Sequence, residues 1–202
     1  MEQYAETYQV ARVEFARSDP QRMAELSGCL YRPEEGAIIV PYLSRDYKVY
    51  HPSGEIVPCE GAPELYHEEK ILILQYLAQA SGVPLAGRWI AYSELPGGMC
   101  HDLPCKIETV KPLAETFGRQ PQKLLEAARR YGGSDLDLGD VGVAISVFPR
   151  LRVAVFLWVG DEELPPSASF VFDAAASQYL STAALYIVGS FVTRRLCEAV
   201  SV

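Results

Sequence analysis

Tyr4, Tyr8, Ala11 and Phe15 recur at helical spacing, while Glu6, Gln9, Arg12 and Glu14 are turned elsewhere. The pattern predicts an amphipathic helix over about residues 2 to 17. Asp19-Pro20 opens a second, short helix that Gly28 stops, with Pro just inside the start and Gly just past the end. The period then changes. Ala37 to Leu43 is strongly apolar, but Pro41 removes a ladder donor, which favours an edge strand or a bulge. Tyr47-Lys48-Val49-Tyr50 alternates, and His51-Pro52-Ser53-Gly54 is turn chemistry leading into Glu55-Ile56-Val57. Together these segments predict an antiparallel meander with short connections.

Pro63 to Ala80 reads as a helix whose run Ile71-Leu72-Ile73-Leu74, followed by Tyr76-Leu77, is apolar almost all round; it is expected to be the most buried helix. Arg88 to Tyr92 reads as a strand ended by Glu94-Leu95-Pro96-Gly97-Gly98. Two short helices follow, one from Lys111-Pro112 to Gly118 and one from Pro121 to Gly132-Gly133. Val141 to Phe148 and Leu151 to Val159 are β runs, and the second is apolar on both faces, which places it centrally in a sheet. A strand over Ser169 to Phe172 precedes a final helix capped near Ser181. With no repeat and no low-complexity linker, residues 1–202 read as a single α+β domain, a mostly antiparallel sheet packed with helices.

Composition narrows the function classes. The chain has 202 residues, 49% of them hydrophobic, so it can bury a core without disulfides. Eighteen basic against 26 acidic residues give a net charge of −8, which argues against nucleic acid, because phosphate-backbone binding needs clustered Lys and Arg. The uncharged stretch over residues 174–193 holds six Ser, Thr or Gln, too polar for hydrocarbon. It reads as a turn, a cap and a buried helix, so no membrane crossing is expected. The acidic N-terminal segment lacks signal-peptide character, and Cys29, Cys59, Cys100, Cys105 and Cys197 are an odd, scattered set. Both features fit reduced thiols in a cytoplasm.

Three segments are candidates for chemistry. Cys100, His101 and Cys105 offer thiolate and imidazole ligands for zinc or iron, or a thiol activated by a histidine; the alternative is a glycine-led loop with incidental cysteines. Asp161, Glu162 and Glu163 follow one strand and Asp173 ends another. Close carboxylates gather a cation or a basic partner, and the bland alternative is a solvated turn with Asp173 as a cap. Ser134 to Asp140 is a turn, because it lacks the glycine and final acid of a calcium loop. His67, beside Glu68 and Glu69, reads as a surface residue, and phosphate-binding and nucleophile-elbow motifs are missing.

The ordered segments LILQYLAQASGVPLAGRW, AYSELPGG, KPLAETFG, RRYGG, FPRLRVAVFLWVGDEELP and FVFDAAASQYLSTAALYIV resemble a family of uncharacterised domains from anaerobic bacteria and archaea. The likeness is strongest over residues 60–200. Some members look fused to an N-terminal iron–sulfur cysteine module, whose motif is absent here because no C-x-x-C occurs. The resemblance implies a cytoplasmic domain, accessory to anaerobic cofactor or one-carbon metabolism. Two functional readings stand side by side. The first is a non-catalytic binding or accessory domain whose ligand face combines Trp89, Tyr92, Gly97 and Gly98 with Trp158, Asp161, Glu162 and Asp173, for a small molecule or a protein partner. The second is a metal- or thiol-dependent enzyme using Cys100, His101 and Cys105. No cofactor is specified by either, and a homodimer through an apolar patch is a third, weaker option.

Overall fold

The structure is a computed structural model that describes residues 2–161 and 163–200; the side chain of Tyr4 and the whole of Glu162, both named above, lie outside the described residues. Helix α1 (Glu2–Arg17) buries Ala11 and Phe15. Helix α2 (Pro20–Ser27) follows Asp19, whose carboxylate accepts from the Arg22 amide at 2.7 Å, and Gly28 ends it in the left-handed conformation (φ 75°). Both helix boundaries follow the cap chemistry of the sequence.

Strands β1 (Leu30–Arg32), β2 (Ala37–Tyr42), β3 (Arg45–Tyr50) and β4 (Glu55–Pro58) form an antiparallel meander in that order. The position of Pro41 corrects one expectation, since β2 is not an edge strand. It is flanked by β1 and β3, but β1 reaches only to Ile39. Pro41 therefore lies beyond β1, where the missing N–H costs no ladder bond. Leu43 and Ser44 join β2 to β3 with φ of 48° and 63°. That is a two-residue turn of the mirror-image kind that matches strand twist, built without the Asn or Gly that usually signals it.

Helix α3 (His67–Gln79) begins four residues after Pro63, capped where the Glu69 carboxylate accepts from the Tyr66 amide at 3.0 Å. As expected it is apolar almost all round, with Leu72, Ile73, Leu74 and Tyr76 fully buried. Strand β5 (Trp89–Ala91) leads through short 3₁₀ turns into α4 (Asp102–Glu108). The segment read as a loop from its glycines and proline is therefore largely helical. Helices α5 (Val110–Phe117) and α6 (Gln122–Arg129) follow, then strands β6 (Ser134–Leu136), β7 (Val141–Phe148), β8 (Leu151–Trp158) and β9 (Ser167–Asp173), and finally α7 (Thr182–Glu198). Where the sequence pattern predicts a turn, β6 forms a short strand that pairs with Gly142 to Ala144 of β7.

The second sheet has the order β5-β9-β8-β7-β6, antiparallel throughout, with β8 at its centre. Two antiparallel sheets packed with helices make the chain α+β. Buried residues from both sheets and from all the helices join one hydrophobic cluster. The sheets meet at the β2–β3 turn: the Leu43 amide donates to the Val147 carbonyl at 3.1 Å, and the Tyr42 and Phe148 rings lie 5.1 Å apart. Tyr76 of α3 stacks on Phe148 with centroids 4.1 Å apart. Its hydroxyl donates to the Ser27 carbonyl (2.6 Å) and accepts from the Arg150 amide (3.0 Å). No helix among the described residues is long and apolar enough to cross a membrane.

Candidate functional site

The residues proposed from sequence as one ligand face are distributed along a strand. Trp89 is the register partner of Asp173, whereas Trp158 is the partner of Ser167 at the other end of β9. Residues 167 and 173 are separated by about 20 Å at ~3.4 Å per residue, so Trp158 and Asp161 stand at one end of the sheet and Trp89 and Asp173 at the other. Asp173 and Asp161 each have a local backbone task. Asp173 is buried, and its carboxylate accepts from the amides of Ala86, Gly87 and Ala175, each at 2.9 Å. Asp161 is exposed and accepts from Leu164 and Glu163, which holds its carboxyl below the usual range. Tyr92 is buried and donates to the Thr182 carbonyl at 3.2 Å. Gly98 fits because a side chain there would meet the Tyr92 carbonyl oxygen at 1.9 Å, while Gly97 takes a φ of 74° at the exposed turn before it. Both glycines are explained by the turn itself.

The cysteine–histidine segment is divided by burial. Cys100 and His101 are exposed, whereas Cys105 is buried inside α4 and its thiol is pushed up to about 11 by desolvation. A thiol held protonated is a poor nucleophile and a poor ligand at neutral pH. Among the described residues no group of three or more His, Cys, Asp or Glu side chains is arranged to hold a metal ion, and no disulfide links any of the five cysteines.

A cleft of a different kind lies elsewhere. A cavity of about 540 Å³ opens between the β2–β3 turn, the segment before α3, the end of α6 and helix α7. Tyr42, Tyr47 and Tyr131 line it with Arg45, Arg130 and Arg195, alongside Leu43 and the Gly61-Ala62-Pro63 backbone. The lining includes no carboxylate, thiol or imidazole among the described residues.

Behind this lining sits Glu69, fully buried. Its Oε1 accepts from the Tyr42 hydroxyl (3.0 Å) and from Nε and Nη2 of Arg195 (3.2 and 2.6 Å). Burial alone would lower the Arg195 pKa, but the Glu69 hydrogen bond and charge outweigh it and the net shift is upward. Only about 16% of the Arg195 side chain is exposed, which makes it the floor of the cleft, and its Nη1 makes no hydrogen bond among the described residues. Arg45 and Arg130 are exposed, and neither forms a salt bridge among the described residues. Burial, reinforced by Glu69, pushes the Tyr47 hydroxyl up to about 12 and the Tyr42 hydroxyl well above its ordinary value. Both phenols therefore remain protonated donors.

Sequence reading missed this cleft because its members are scattered from residue 42 to residue 195 and match no motif. Nothing in the sequence singles out Glu69, because it stands in the charged first turn His67-Glu68-Glu69-Lys70, where a carboxylate is ordinary. The chain matches no curated protein and no solved structure. A family model described as a domain of unknown function, DUF3786, matches residues 19–195. That span carries both sheets and every wall of the cleft, and the chain belongs to this family.

Proposed function

We propose that the chain is a binding domain that takes a small anionic molecule in the arginine–tyrosine cleft. The observation that carries this reading is the lining: three guanidinium groups face one concavity with no lining carboxylate among the described residues, in a chain of net charge −8. An acidic protein repels anions at long range, so a local concentration of arginine is what an anion site on it requires. Like charges gathered in one concavity repel, and a bound anion removes that cost. The tyrosine hydroxyls already donate to Glu69, the Pro63 carbonyl and the Arg195 carbonyl, which leaves the guanidinium groups as the donors for a ligand and the tyrosines as an apolar border to it. A lining without a thiol, imidazole or carboxylate, and with protonated phenols, favours binding over proton transfer or covalent catalysis.

Thermal denaturation of the full chain in the presence of benzoate, phenyl phosphate or benzylamine tests the reading. The two anions are expected to raise the melting temperature and the amine to leave it unchanged, since a ligand that binds only the folded state stabilises it. The gain should disappear in the Arg45→Ala/Arg130→Ala double variant, whose truncated side chains are exposed and whose folding should be undisturbed. No stabilisation by either anion, or an equal gain in the double variant, contradicts the assignment.

A further inference from the structure

Resting on that reading, we infer that the cleft selects a phosphate monoester in its dianionic state, carried on a planar ring. The charge count comes first. Arg45, Arg130 and Arg195 contribute three positive charges to the lining, and buried Glu69 neutralises one of them from behind. The two positive charges left over match a dianion. Chemistry comes second. Guanidinium groups present forked N–H donors that fit the oxygens of phosphate, and three of them can each meet one of the three terminal oxygens of a monoester. All the cationic groups on the lining are arginine and none is lysine.

Preorganisation comes third. Arg195 is fixed before any ligand arrives: Glu69 binds two of its nitrogens, its guanidinium carbon lies 6.0 Å from the centroid of the Tyr66 ring, and its carbonyl accepts from the Tyr131 hydroxyl at 3.2 Å. A donor held in place loses little entropy on binding. Arg45 and Arg130 enter from different walls, the start of β3 and the residue after α6, and so can approach a phosphoryl group from two sides. Tyr42 and Tyr47 are packed edge-on beneath the cleft and fix its base, and half-buried Tyr131 with the Gly61-Ala62-Pro63 segment borders the space for the ring that carries the ester.

Calorimetric titration of the full chain at pH 7.5 with phenyl phosphate, phenyl sulfate and isophthalate separates the possibilities. These are a dianionic monoester, its singly charged analogue and a dicarboxylate on the same ring. Phenyl phosphate is expected to bind about tenfold tighter than phenyl sulfate, the effect of one additional charge meeting a partly desolvated guanidinium. It should also bind tighter than isophthalate, and both advantages should vanish in the Arg45→Ala/Arg130→Ala variant. Equal affinity for phosphate and sulfate, or a preference for isophthalate, overturns the phosphate selection while leaving an anion site in place. Binding of none of the three overturns the anion site as well.

Discussion

Tyr76 shows how much one side chain can hold. Its ring lies against Phe148 at 4.1 Å, and its hydroxyl joins the last residue of α2 to the turn between β7 and β8. Removing that oxygen leaves the Ser27 carbonyl and the Arg150 amide without their partner in a buried place. Tyr76→Phe should therefore lower stability by about 1–3 kcal/mol, read from urea denaturation; a change near zero would mean that the hydroxyl bridge contributes nothing. The sequence shows that Tyr76 faces inward, because it continues an apolar run. It does not show what the hydroxyl meets, since Ser27 and Arg150 are 49 and 74 residues away. The same limit hid the cleft. Tyr42, Glu69 and Arg195 are unremarkable one at a time, and only the fold makes them a hydrogen-bonded group.

Among the elements, those with strong caps and long apolar runs were the ones the chain announced. Helix α2 stops at Gly28, α7 starts after Ser181, and β8 lies at the centre of its sheet, each as read from the residues. The misread elements carried mixed signals. The leading glycines argued for a loop where α4 forms, and Pro63 drew the start of α3 four residues too early. The chain following α6 gives a test at this scale. Gly132 has a φ of 69°, and a side chain added there would come within 2.0 Å of the Ser44 hydroxyl at the β2–β3 turn. Gly132→Ala should cost about 1–2 kcal/mol from the backbone conformation alone and should also weaken anion binding, because Arg130 and Tyr131 would be pushed away from the opposite wall. Unchanged stability and affinity would show that the close approach is incidental.

At the scale of the whole molecule, the buried acids that ionise late define an alkaline limit. Desolvation raises Cys29 and Cys105 from 9.0 to about 11, and Tyr47 from 10.0 to about 12. Each group keeps its proton in the folded state at a pH where the unfolded chain has released it. The folded state then binds more protons, and stability falls as pH rises. The contribution is fully present below about pH 9, declines between 9 and 11 for the thiols, and declines between 10 and 12 for the phenol. Denaturant titrations at pH 8, 9.5 and 11 should show flat stability followed by a progressive loss, with a shallower decline in Cys29→Ala/Cys105→Ala; a curve level through pH 11 would contradict these burial effects. Helix, strand and charge patterns were legible at this scale, so the α+β class was readable in advance. The separation of Trp158 from Asp173 was not, because the residues at a strand's ends do not tell which pole of the sheet they occupy: the two are at opposite poles of the same sheet.

The turn at Leu43 and Ser44 has a consequence for how the molecule comes apart. It is at once the rim of the cleft and the point where one sheet is fastened to the other through the Leu43 amide and the Val147 carbonyl. Lifting the first sheet away from the rest of the molecule must break that clasp and part the two sides of the cleft in the same movement. Whatever occupies the cleft therefore acts as a rivet between the first sheet and the helical side formed by α6 and α7, and the lifetime of their union becomes a gauge of occupancy.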